Sequence, residues 1–104
     1  MEGHSLISAD ILARYAADAA CEVDGVRGVV DGPRTRHRGV KVSEEDGTVA
    51  LELHLAVDWG ANVAEVGSAV QTRVADYLAR MADVVPGTVD VVVDEIGPPP
   101  LPAG

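Results

Sequence analysis

Between Thr48 and Trp59 apolar and polar side chains alternate. Val49, Leu51, Leu53, Leu55, Val57 and Trp59 fall on one side; Ala50, Glu52, His54, Ala56 and Asp58 fall on the other. Successive side chains of an extended strand point to opposite faces, so this period of two predicts a long strand with one buried face and one wet face. Upstream, Val40 and Val42 alternate with Lys41 and Ser43, and Glu45-Asp46-Gly47 supplies a turn, which makes the two segments a hairpin. A last strand is expected over Thr88 to Ile96, with Val89, Val91 and Val93 on one face. A short strand or extended entry to a loop is expected over Val26 to Val30.

Two segments carry the three- and four-residue spacing of a helix stripe. In the first, from Ser8 to about Glu22, the stripe is Ile11, Leu12, Tyr15, Ala16, Ala19 and Val23. Ser8 is placed to cap a free backbone N–H, Asp10 suits the positive end of the helix, and Gly25 is a terminator. In the second, Asn62 and Glu65 read as a capping box ahead of Val63, Val66, Val70, Val74, Tyr77, Leu78 and Met81. About 20 residues at 1.5 Å each make this helix roughly 30 Å long, enough to lie across a small sheet. Helix, short strand, hairpin, helix, strand, each with one apolar face, predict an α+β two-layer sandwich: a small mixed sheet of three to four strands with two helices packed on one face. The expected organisation is a flexible N-terminus over 1–7, a single domain over 8–96, and a Pro-rich disordered tail over 97–104, where GPPPLPAG favours extended polyproline geometry.

A chain of 104 residues with 47% apolar side chains supports one packed core. With no Phe, two Tyr and one Trp, it has few aromatics to stack on bases or line a cofactor pocket. The formal charge of -9 is unevenly spread. Arg27, Arg34, Arg36, Arg38 and Lys41 are five of the eight basic residues, and Asp31 is the sole acid among them. The acidic remainder repels phosphate backbones and anionic headgroups, but screening acts over roughly 8 Å, so a basic loop keeps its local character. The start of the chain lacks the basic and apolar regions of a signal peptide, and no apolar run approaches the ~20 residues that span a bilayer. The expectation is a cytoplasmic protein.

Catalytic constellations are not legible. Cys21 has no local signature and reads as a small hydrophobe, and Ser68 sits within a helical pattern rather than at a nucleophile elbow. His4, His37 and His54 form no HxH or HxxxH pair, and alternate residues on the strand face of His54 stand about 7 Å apart, which argues against a metal site. No phosphate-binding glycine motif is present, so no cofactor is expected. The segment Gly32 to Lys41 is the one place suited to holding an anion, because guanidinium groups make paired contacts with phosphate or carboxylate. Arg27, Arg34, Arg36, His37, Arg38 and Lys41 are the candidate contacts. A solvated loop, docking on an acidic protein or lipid surface, and nucleic-acid binding are its three readings.

The first-helix segment ISADILARYAADAACEVDGV, then GVKV, LELHLAVDWGANVAEV, VGSAVQTRVADYLARM and TVDVVVDEI together resemble the alkaline shock and general stress proteins of the bacterial envelope stress response. Trp59 stands where that family more often has Tyr, and the Arg-rich loop lies where its members vary. The resemblance implies a non-enzymatic cytoplasmic protein that gathers at the inner face of the cell membrane. Attachment would come through a membrane-anchored protein partner, with self-association, no span of its own and no catalytic residues. The alternative from the residues alone is a small nucleic-acid-binding domain using the basic loop over 34–41.

Overall fold

The computed structural model describes residues 8–30 and 39–98. Its elements are α1 (Ala9–Cys21), β1 (Val26–Val29), β2 (Val40–Glu45), β3 (Thr48–Val57), α2 (Val63–Ala82) and β4 (Thr88–Ile96). β3 is the strand with which every other strand pairs. On one edge it meets β4 in a parallel ladder from Ala50↔Thr88 to Val57↔Ile96. Parallel neighbours need a crossover, and α2 supplies it. The sheet is therefore mixed, as expected from the sequence.

The other edge of β3 is shared. β2 covers it antiparallel from Glu45↔Thr48 to Val40↔Leu53, and β1 covers Leu55 to Val57. The β2–β3 hairpin turns on Asp46 and Gly47, with φ of 54° and 78°. Positive φ at both turn residues matches the twist of the flanking strands. Between the two ladders stands His54, whose carbonyl accepts the Val30 N–H at 2.7 Å and whose N–H donates to the Gly39 carbonyl at 3.0 Å. β1 and β2 are thus one edge strand interrupted at His54. The chain leaves at Val30 and returns at Gly39. Gly39 has φ +83°, and a Cβ there would lie 2.3 Å from the Val30 carbonyl oxygen, so only glycine closes the interruption.

The helices cover one face of this sheet. Ser8 Oγ accepts the Ile11 N–H at 3.2 Å and Asn62 Oδ1 accepts the Glu65 N–H at 3.0 Å, so both predicted caps form. α1 and α2 run antiparallel: Tyr15 meets Tyr77 edge-on at 5.8 Å, and Arg73 reaches Glu22 at 2.7 Å. α1 lies over β1 and β2, α2 over β4. Val40 of β2 and Leu51, Leu53, Leu55 and Val57 of β3 are the sheet's fully buried contribution to the core, closed from above by Leu12, Ala13, Ala16, Ala19 and Ala20 of α1 and by Val66, Val70, Val74 and Leu78 of α2. Each fully buried leucine contributes roughly 1.5–3 kcal/mol.

Four apolar residues assigned to the buried stripes lie outward instead. Trp59 is 57% exposed, because β3 ends at Val57 and a turn from Asp58 to Ala61, closed at 3.1 Å, carries the indole off the ridge. Ile11 is displaced by Ala13 and Ala20, whose small side chains let α1 settle closely on the sheet, and it points to solvent. Val63 and Met81 occupy the first and last turns of α2 and are exposed. Strand pairing also continues past Ile96, since the Gly97 N–H bonds the Val57 carbonyl at 2.6 Å.

Two substitutions test this arrangement by urea unfolding. Leu53→Ala is expected to cost about 2–5 kcal/mol. Gly39→Ala is expected to cost at least about 1–3 kcal/mol from its left-handed backbone. Gly28→Ala, with nothing within 4 Å of the new methyl and no positive φ, should stay within about 0.5 kcal/mol.

Candidate functional site: the open face of the sheet

The face of β3 opposite the helices carries Glu52 and His54, both half-buried. The local sequence explains how a third group joins them. β4 holds one residue more than β3 between Val93 and Glu95, a bulge whose extra residue is Asp94. Bulges re-aim side chains, and here Asp94 Oδ2 lies 2.7 Å from His54 Nδ1. Glu52 Oε2 lies 2.6 Å from His54 Nε2. Carboxylates at both ring nitrogens require both nitrogens to donate, which is the imidazolium form. The Glu52 hydrogen bond, first, then the bond and charge of Asp94 hold the His54 pKa above its ordinary 6.5, against an opposing contribution from partial burial.

This cluster crosses from β3 to β4, while the His54 backbone closes the interrupted edge on the other side. Lys41 stands opposite Glu52 on β2, and Asp90 opposite Glu52 on β4. Nδ1 and Nε2 point in opposite directions, so an ion between them could not reach both carboxylates and the ring together. Consistently, among the described residues no group of three or more His, Cys, Asp and Glu is placed to hold a metal ion.

Of the candidate anion contacts, Arg27 and Lys41 are described, and they flank the interruption on the same edge. Lys41 is exposed. Arg27 lies 3.8 Å from Asp58, and its side chain packs against the Cα of Gly97. Arg34, Arg36, His37 and Arg38 lie outside the described residues. Cys21 is exposed at the end of α1, and its thiol is held above the ordinary 9.0 by desolvation and by the charge of Asp18, which leaves little thiolate for nucleophilic work. A shallow groove of about 520 Å³ between the end of α1 and the start of α2 is lined in part by Glu22, Asp24, Asn62, Glu65 and Arg73. Its cation is already engaged by Glu22, and the Glu65 N–H is already capped by Asn62. Sequence reasoning missed the Glu52–His54–Asp94 cluster as a unit. Alternation placed Glu52 and His54 together, but the bulge that delivers Asp94 leaves no sequence mark.

Among known proteins, a match to the family of alkaline shock protein 23, described as of cell envelope-related function, spans residues 1–98. No curated protein matches the chain significantly. Solved structures of similar fold include a histidine-to-alanine variant of MamM-CTD, at TM-score 0.64 and 20% identity, covering 88% of this chain and 100% of that one. A cysteine-to-serine variant of MamM CTD matches at TM-score 0.61 and 20% identity over 84% and 94% of the two chains. A cadmium form of MamM CTD with an aspartate-to-glutamate change matches at 0.59 and 21% over 81% and 92%. At these identities the likeness concerns the fold.

The His54 cluster has a pH signature. A folded-state pKa raised above the unfolded value stabilises fully below about 6.5, and that contribution disappears as pH rises through the higher folded value. In an NMR titration the His54 imidazole should therefore show its midpoint above 6.5. The stability difference between the native chain and His54→Gln should shrink as pH is raised through that midpoint. A midpoint at or below 6.5 would contradict the bridged imidazolium.

Proposed function

The chain belongs to the alkaline shock protein family, whose function is described as cell envelope-related, and we propose that it is a non-enzymatic binding or scaffold module of the envelope stress response. In this reading a membrane-anchored protein partner recruits it to the inner face of the cell membrane, and it also self-associates. No helix among the described residues is long and apolar enough to cross a membrane.

The observation that carries the proposal is a sheet roofed on one side only. Among the described residues, the outer edges of β4 and of the interrupted β1–β2 strand have no neighbouring strand. Such edges present N–H and C=O groups to an incoming strand. The chain leaves one of these edges at Val30 and returns to it at Gly39, and Arg34, Arg36, His37 and Arg38 of the intervening sequence, together with Arg27 and Lys41, are the proposed contacts for an acidic partner surface. The same residues would serve the second reading, nucleic-acid binding, in which each neutralised phosphate releases counterions and affinity falls steeply with salt.

Fractionation of native cells separates these readings. The full chain is expected with the membranes, and Arg34→Ser/Arg36→Ser/Arg38→Ser is expected to shift it towards the soluble fraction. A chain that stays soluble in every growth state would contradict membrane recruitment. Salt-sensitive binding to a DNA or RNA duplex, abolished by the same triple substitution, would establish the second reading instead.

A further inference from the structure

The two free edges of the sheet differ in charge. The β1–β2 edge mixes Arg27 and Lys41 with Glu44 and Glu45, whereas β4 carries Asp90, Asp94 and Glu95 and no basic residue. β4 is nine residues long, and among the described residues no strand lies beyond it. Its register with β3 sorts its side chains. Val89, Val91 and Val93 share the helix-covered face with Leu51, Leu53 and Leu55, and Asp90, Val92 and Glu95 share the open face with Glu52, His54 and Ala56. Val91 and Val93 are half-buried, while Asp90, Val92 and Glu95 are exposed. At the start of the strand the Val89 carbonyl already accepts the Gln71 amide at 2.8 Å, so the stretch open to a partner is Asp90 to Ile96. Asp94, the bulged residue, is turned back to His54. The carboxylates left over are Asp90 and Glu95, which have no ion pair among the described residues. They stand beside Glu52 and Ala56 of β3, and hence about 13 Å apart along the strand.

We propose that β4 takes an extended basic segment of another protein as an added strand, with Lys or Arg at two alternating positions set to face Asp90 and Glu95. This deepens the binding-module reading above and rests on it. A strand added to an edge gains affinity from main-chain hydrogen bonds and specificity from its alternate side chains. On the open face those side chains meet Asp90, Val92 and Glu95 in turn, which calls for a base, an uncharged residue and a base. On the other face they meet Val91 and Val93, which calls for apolar residues. A second copy of β4 does not fit. Twofold pairing centred on Val92 is antiparallel and sets the Asp90 of each copy opposite the other's Asp94, and like charges directly opposite destabilise a ladder. Edge charges and bulges are devices by which strands resist their own copies, but carboxylates raise no barrier to a basic strand. The formal charge of -9 favours the same class of partner at longer range. A membrane-anchored partner of the kind proposed above has such a segment to offer, because cytoplasmic sequence beside membrane spans is rich in Lys and Arg.

An NMR titration of the purified full chain with synthetic peptides tests this. TKVTVKVT at millimolar concentration should shift the amides of Asp90 to Ile96 saturably and leave those of β1 and β2 in place. The acidic counterpart TEVTVEVT should not bind. TKVTVKVT methylated on its valine nitrogens keeps its charge but loses ladder donors, and it should lose the effect. Asp90→Asn/Glu95→Gln should weaken binding about fivefold, the scale of two exposed charge pairs, and the peptide series alone decides the matter if that variant does not fold. No shift on β4, or equal binding of the acidic or the methylated peptide, would overturn the proposal. So would β4 amides that move with protein concentration in the absence of peptide, which would assign the edge to a second copy. A chain that follows the membranes yet binds no peptide on β4 would sink this inference and leave the proposed function standing. Peptide binding on β4 by a chain that stays soluble in cells would do the reverse.

Discussion

Pairing of β3 along both of its edges is the constraint from which the rest of the molecule follows. A strand hydrogen-bonded on two sides and buried on one face leaves its leucines a single orientation, so the helices have one place to settle. Leu51, Leu53, Leu55 and Val57 then meet a helix layer built largely from alanine and valine, whose small side chains permit close approach. The same constraint explains why Gly39 is glycine: the edge is complete only if the chain departs and returns within one residue of β3, and the closing carbonyl leaves no room for a methyl group.

His54 sits where the two edges come closest in function. Its backbone joins Val30 to Gly39, the two ends of the basic segment, while its ring ties β3 to the bulge of β4. A change in the proton content of that ring therefore acts on β4 from the same residue whose backbone bonds Val30 and Gly39. The helix-covered face carries no comparable polar cluster among the described residues, where no polar or charged side chain is buried. Among the described residues the bridged histidine cluster thus lies on the open face of the sheet, away from the helices.

Much of this frame was readable in the chain. The alternation through β3, the Asp46-Gly47 turn, the Ser8 and Asn62 caps and the limits of β4 each have a local physical cause, and local causes leave sequence marks. The failures share a different origin. Trp59 continued the period of two but fell past the strand end, where a turn rather than a ladder sets direction. Ile11 outranks Ala13 in hydrophobicity, yet the close packing of α1 selected the smaller residue. The union of β1 and β2 as one interrupted strand, and the arrival of Asp94 at His54, depend on partners far away in sequence, which periodicity does not report.

Native-state amide hydrogen exchange reads the central claim directly. If β3 is the doubly paired spine of the fold, the amides of Leu51, Leu53, His54 and Leu55 exchange only through global unfolding, with one shared free energy, and the His54 amide is as slow as its neighbours despite facing the interruption. A His54 amide exchanging at the rate of an open loop, while Leu53 and Leu55 remain protected, would mean that Gly39 does not close the edge and that β1 and β2 are separate strands.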